Sequence, residues 1–165
     1  MPSRMTRLAP VLLALIAFAA ASCDGDDAPS RDDAPSREEF ADRANEICRD
    51  AKRSLEDVAE GADGPEDIIE AIDEVIEESR DTVSELSELE RPEGEAGERA
   101  ERFVNVTRTE IQEAGIPALE DLREAVESED RQAIQRAAER LQEIDSSAST
   151  TAARAVGARA CGDGR

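Results

Sequence analysis

The chain has 165 residues, 41 acidic against 20 basic side chains, a formal net charge of −21, and no His, Trp or Tyr. Such an acidic surface repels phosphate backbones and anionic lipid headgroups, so we expect no nucleic-acid partner and no basic membrane-binding patch. Without His, neither Ser-His-Asp nor Cys-His catalysis is available, and zinc or haem sites with His ligands are excluded.

The first 22 residues have the features of an export signal. Arg4 and Arg7 precede an apolar run over residues 8–20, which is shorter than the roughly 20 apolar residues of a membrane-spanning helix. Small residues then lead directly to Cys23, which resembles the lipobox of bacterial lipoproteins. The resemblance implies cleavage before Cys23 and lipidation of its thiol, with palmitate as an expected acyl group. The alternative is ordinary cleavage, which would release a free secreted protein.

Residues 23–36 are predicted to be a disordered acidic tether. The sequence DDAPSR occurs twice in succession, at residues 26–31 and 32–37. Charged segments rich in Pro and Ser bury too little apolar surface to fold, and their prolines keep them extended. A calcium site at Asp24 and its neighbours is disfavoured, because the spaced ligands and closing Glu of an EF-hand loop are missing.

From residue 37 onward, apolar residues recur every three or four positions, as is typical of amphipathic helices. Ser36 and Glu39 form a capping-box pattern at the first helix, and Ser128 is a predicted N-cap for the fourth. Pro117 predicts a kink or a full break in the third. The sequence therefore predicts an all-α fold, an antiparallel up-down four-helix bundle over residues 37–165. The predicted helices span residues 37–60, 65–90, 95–127 and 129–157.

The other two cysteines, Cys48 and Cys161, are an even pair once Cys23 carries the lipid. A structural disulfide between them would close a loop of more than a hundred residues. It requires either that the chain after Gly157 fold back toward the first helix or that the two helix pairs be offset. The alternative is a redox pair, although the close spacing and basic neighbours that activate thiolates are missing.

The cysteines also lie in motifs that resemble those of small lipoproteins from high-GC Gram-positive bacteria. These proteins share a lipobox, a polar linker, an A-x-x-I-C segment in the opening helix and a terminal C-G after a glycine-ended helix. The matching residues are Ala44, Ile47, Cys48, Gly157, Cys161 and Gly162. The resemblance implies a helical bundle with a Cys48–Cys161 bridge, and it brings no activity with it.

These features predict a non-enzymatic lipoprotein on the outer face of the cytoplasmic membrane. We expect a monomer without cofactor or metal, held to the membrane by a lipid on Cys23, that binds an envelope protein or acts as a structural module. One alternative is a holdase-like chaperone or small-ligand carrier, which should have a sizeable apolar cavity between its helices. Another is a low-affinity cation-binding protein, suggested by the acidic surface.

Overall fold

The computed structural model describes residues 34–60 and 64–162, and nearly all of them are helical. These two ranges contain no strand, and they belong to one compact unit, Asp32–Arg165. The all-α prediction is therefore confirmed. The predicted export signal, Cys23 and the tether up to residue 33 lie outside the described residues.

The helices follow one another with short connections, and each packs on its neighbours along the chain or on a more distant helix. Contacts join α1 to α2, α3 to α6, and α4 to both α2 and α5. The bounds are α1 Arg37–Glu60, α2 Pro65–Glu88, α3 Gly94–Thr109, a π-helical segment Glu110–Gly115, α4 Ile116–Glu127, α5 Arg131–Gln142, α6 Ser147–Val156 and a 3-10 turn Arg159–Cys161.

Helix α1 begins at a reciprocal capping box. The backbone N–H of Ser36 donates to Glu39 Oε2 at 2.8 Å, and the N–H of Glu39 donates to Ser36 Oγ at 3.2 Å. These hydrogen bonds lower the pKa of Glu39, so the carboxylate stays charged beside the positive end of the helix. The capping box predicted from the sequence is confirmed.

The disturbance predicted at Pro117 is a π-helical segment immediately before it. The N–H of Ile116 donates to the carbonyl of Ile111, five residues back. Pro117 has no N–H, and its ring would clash with the carbonyl four residues back in a regular α-helix. The wider π turn accommodates this side chain, so the backbone stays helical from Gly94 to Glu127 and no full break occurs.

The predicted fourth helix, 129–157, is wrong as a single element, because residues 143–146 separate α5 from α6. Asp145 accepts a hydrogen bond from the N–H of Ser147 at 2.9 Å, and the carbonyl of Ser146 accepts one from Ser149 Oγ at 3.0 Å. Short polar side chains compete in this way with the intrahelical ladder. The helix is therefore interrupted at residues 143–146, although the spacing of apolar residues in the sequence continues through the break.

The start of this segment also differs from the prediction, since Asp130 rather than Ser128 is the N-cap of α5. The Asp130 carboxylate accepts from the N–H groups of Gln132 and Ala133 at 2.9 and 3.1 Å. Ser128 follows the last residue of α4, and its hydroxyl donates to the carbonyl of Ala125. An aspartate two positions further along therefore supplies the cap.

The turn between α4 and α5 places Glu129 in the left-handed region, with φ at 55°. The N–H of Glu129 donates to the carbonyl of Val126 at 3.0 Å, and that of Asp130 donates to Ala125 at 3.2 Å. This pair of bonds is a Schellman motif, whose left-handed position is usually glycine. A side chain at that position costs free energy because its Cβ crowds the following carbonyl oxygen.

We therefore expect Glu129→Gly to stabilise the protein by about 0.5–1 kcal/mol, measured by urea unfolding followed by helical circular dichroism. Glu124→Gly is the matched control, because it makes the same change inside α4, where we expect a loss of about 1 kcal/mol. Destabilisation by both substitutions would contradict the left-handed conformation of Glu129.

Many of the buried apolar side chains in the described part of the chain belong to one of two clusters. The first surrounds an edge-to-face contact between Phe40 and Phe103, whose ring centroids lie 6.4 Å apart. The second surrounds Ile72, Ile76 and Ile116. Alanines with no exposure, such as Ala44 and Ala100, let the helices of the first cluster approach closely. The core thus uses aliphatic and alanine side chains with only two rings.

Candidate functional site

An open groove lies between the π segment with the end of α3 on one side and the junction of α5 and α6 on the other. Its volume is about 770 Å³, which lies within the usual range of ligand-binding clefts. Four of the residues that line it are apolar. These are Val106, Ala114, Ile144 and Ala148.

None of these four apolar side chains belongs to either core cluster. Ala148 is exposed, and Val106, Ala114 and Ile144 are half-buried. Ile144 continues the three- and four-residue apolar spacing from which a continuous helix over residues 129–157 was predicted. In the structure it lies in the break between α5 and α6 and lines the groove. The groove therefore exposes apolar surface that is not buried in either core cluster.

Four carboxylates line the groove together with these apolar residues. Glu110 and Glu113 lie on the π segment, and Glu143 and Asp145 lie in the break between α5 and α6. Hydrogen bonds from Ser147, chiefly from its backbone N–H, lower the pKa of Asp145, so this group carries its charge at neutral pH. The lining is acidic on both sides.

Arg140 is the one basic side chain that lines the groove within the described part of the chain. Its guanidinium pairs with Asp121 of α4. Because Arg140 and Asp121 together are neutral, the four carboxylates of the lining outnumber the basic groups beside them.

Two irregularities about thirty residues apart in the chain create this groove. The π segment widens the helix before Pro117, and residues 143–146 separate α5 from α6. The sequence carried a signal for each, namely Gly115-Ile116-Pro117 and the small polar stretch 146–151. Neither signal indicated that the two irregular segments face one another.

A disulfide bond lies beyond the C-terminal end of α6, whereas the groove lies at its N-terminal end.

 It joins Cys48 in α1 to Cys161 in the 3-10 turn, with the two Cα atoms 5.1 Å apart. Gly157 ends α6 with φ at 94°, and the N–H of Ala158 donates to the carbonyl of Ala153 at 2.9 Å. This left-handed turn folds the chain back toward α1, as the bridge requires, and the Cys48–Cys161 pairing is confirmed.

Asn45 fastens the same segment through its side-chain amide. Its Nδ2 donates to the carbonyl of Gly157 at 3.2 Å, and its Oδ1 accepts from the N–H of Ala160 at 2.8 Å. Asn45 lies three residues before Cys48, so the two hydrogen bonds of Asn45 and the disulfide hold the same stretch of chain against one side of α1. Sequence reasoning missed Asn45, because both of its partners are backbone groups more than a hundred residues away.

Residues 34–60 and 64–162 contain neither a metal-binding cluster nor a membrane-spanning helix. This part of the chain has no group of three or more Cys, Asp or Glu side chains placed to hold a metal ion. None of its helices combines the length and the apolar composition needed to cross a bilayer. The predicted lipid-bearing residue, Cys23, lies outside these ranges.

Comparison of the chain with family models, with curated proteins and with solved structures gave no match.

Proposed function

We propose that this chain is a lipid-anchored protein on the outer face of the cytoplasmic membrane that binds another envelope component through its groove. The groove is the observation that carries the binding part of this proposal. Its four apolar residues lie outside both core clusters, and the open groove that they line has the volume of a binding cleft. A purely structural spacer would have no need of it.

The anchoring part of the proposal depends on Cys23. The basic head, the apolar run and the small residues before Cys23 support lipidation, and the acidic repeat after it supports a tether. The Cys48–Cys161 bridge fits an oxidising compartment outside the cytoplasm, since disulfides of this kind rarely persist in reducing ones.

We expect Cys23→Ser to move the protein from the membrane fraction to the soluble fraction, because a single thiol carries the lipid. The control is the double variant Cys48→Ser with Cys161→Ser, which keeps Cys23 and should stay in the membrane fraction. Intact mass of the extracted protein checks the lipid directly. Membrane retention of the Cys23→Ser variant would overturn the anchoring part.

The binding part is tested by photo-crosslinking in the native envelope. A photoreactive amino acid at Ala148, which is exposed in the groove, should give a discrete crosslinked product. The same amino acid at Glu77, which is exposed on α2 and away from the groove, should not. Equal labelling from both positions, or none from Ala148, would contradict binding at the groove.

Carriage of a small apolar ligand is a second candidate function, favoured by the volume of the groove. Native mass spectrometry of protein extracted from membranes distinguishes the two. A recurring small-molecule adduct that Ile144→Ser abolishes would favour the carrier, whereas a crosslinked protein at Ala148 favours partner binding.

A further inference from the structure

We propose that the occupant of the groove is a cationic amphipathic helix of a partner protein. This inference rests on the proposed binding function and adds to it the chemistry of the partner. It combines two properties of the lining, which are its apolar residues and its carboxylates.

The shape of the groove favours a helix over a small molecule. Small-molecule sites usually bury 70–90% or more of a drug-sized ligand, which an open groove does not do. One wall runs from Asn105 to Ala114, and at 1.5 Å per residue this stretch is about 13 Å long. That length matches two to three turns of helix, enough for anchors at positions i, i+3 or i+4, and i+7.

The negative charge of the groove favours a helix that has basic residues on both sides of its apolar stripe. Glu110 and Glu113 on one side and Glu143 and Asp145 on the other can pair with Lys or Arg beside an apolar stripe. Arg140 does not oppose this, because it already pairs with Asp121. An anionic or neutral helix would leave these carboxylates desolvated without partners.

The same reasoning disfavours other occupants. A second copy of this chain carries a net charge of −21, so two copies repel one another. Residues 24–33 of this chain contain five aspartates and one arginine, which is the wrong sign. Residues 1–22 have a suitable composition but are expected to be removed on export.

The probe for the test is a synthetic helix of about 14 residues, made of Leu and Lys with one Trp on its apolar face. Because the protein has no Trp and no Tyr, the fluorescence of the probe is free of interference. The protein is the mature chain from residue 23 with Cys23→Ser, so that no lipid competes for the groove. At physiological salt, we expect micromolar binding and a blue shift of the Trp emission.

Two matched pairs of variants locate the binding. Glu110→Gln, Glu113→Gln and Glu143→Gln together should weaken it at least tenfold. The control changes three exposed carboxylates elsewhere and should weaken it less than twofold: Glu77→Gln, Glu85→Gln and Glu98→Gln. Ile144→Ser should also weaken binding at least tenfold, whereas Ile68→Ser, at the exposed Ile68 of α2, should not.

Equal weakening by the two triple variants would show general attraction to an acidic surface and would overturn the proposal. So would equal binding of a Leu/Glu helix, or of a Leu/Lys peptide scrambled to remove its apolar face. If the probe fails while Ala148 still crosslinks to an envelope protein, the cationic-helix inference falls and the binding function stands. If Ala148 crosslinks to nothing, the binding function falls as well.

Discussion

Replacing Cys48 and Cys161 with Ser will lower the free energy of unfolding by about 4.8 kcal/mol. The bridge closes a loop with a sequence separation of 113 residues, and the chain-entropy relation gives this value for a loop of that length. Single domains have a total stability of only about 5–15 kcal/mol, so the loss is a large share of it. Urea unfolding followed by circular dichroism measures the change.

Reduction of the wild-type protein provides the control for this substitution. A reductant should lower the urea midpoint of the wild type to about that of the double variant, and it should leave the double variant unchanged. The folded state of either protein should still be helical, because Asn45 and the Gly157 turn hold the terminal segment without the bridge. A reduced wild type with an unchanged midpoint would contradict a stabilising role.

Truncation of Phe103 has the second largest expected effect. Its side chain has no exposure, and its ring meets that of Phe40 edge to face in the first core cluster. Phe103→Ala removes this contact and leaves a cavity among helices that are already close, so we expect a loss of about 3–5 kcal/mol. The measurement is again the urea midpoint of the helical signal.

Two further variants separate this effect from a general sensitivity of the helices. Phe103→Leu keeps most of the buried volume and should cost less than Phe103→Ala. Ile68→Ala changes a side chain that is 38% exposed and should cost less than about 0.5 kcal/mol. Similar losses from Phe103→Ala and Ile68→Ala would show that the Phe40–Phe103 contact is not the centre of the core.

The helical fold could be predicted because its signals are local. The capping box at Ser36 and Glu39, the proline at the start of α2 and the apolar spacing each depend on residues within one or two turns. The disulfide could be anticipated from the count of cysteines and the expected compartment. The return of the chain that it needs is encoded by Gly157, which was recognised as a helix terminator.

The groove could not be predicted, because it depends on competition between local and longer-range preferences. Ile144 continues the spacing of a core stripe, yet it lies in the break between α5 and α6, where Asp145 accepts a hydrogen bond from the N–H of Ser147. The π segment depends in the same way on the turn before Pro117, because Pro117 has no backbone N–H to donate. Periodicity reports which residues are apolar, but not which of them face a gap between two helices.

The disulfide also has a mechanical consequence. If the folded body is pulled between its two chain ends, the load passes from α1 to the terminal segment through the bond between Cys48 and Cys161. The chain between them, whose sequence separation is 113 and whose extended length is roughly 380 Å, carries no tension while the bond is intact. Both walls of the groove lie inside this shielded loop, so their geometry does not depend on tension applied to the ends.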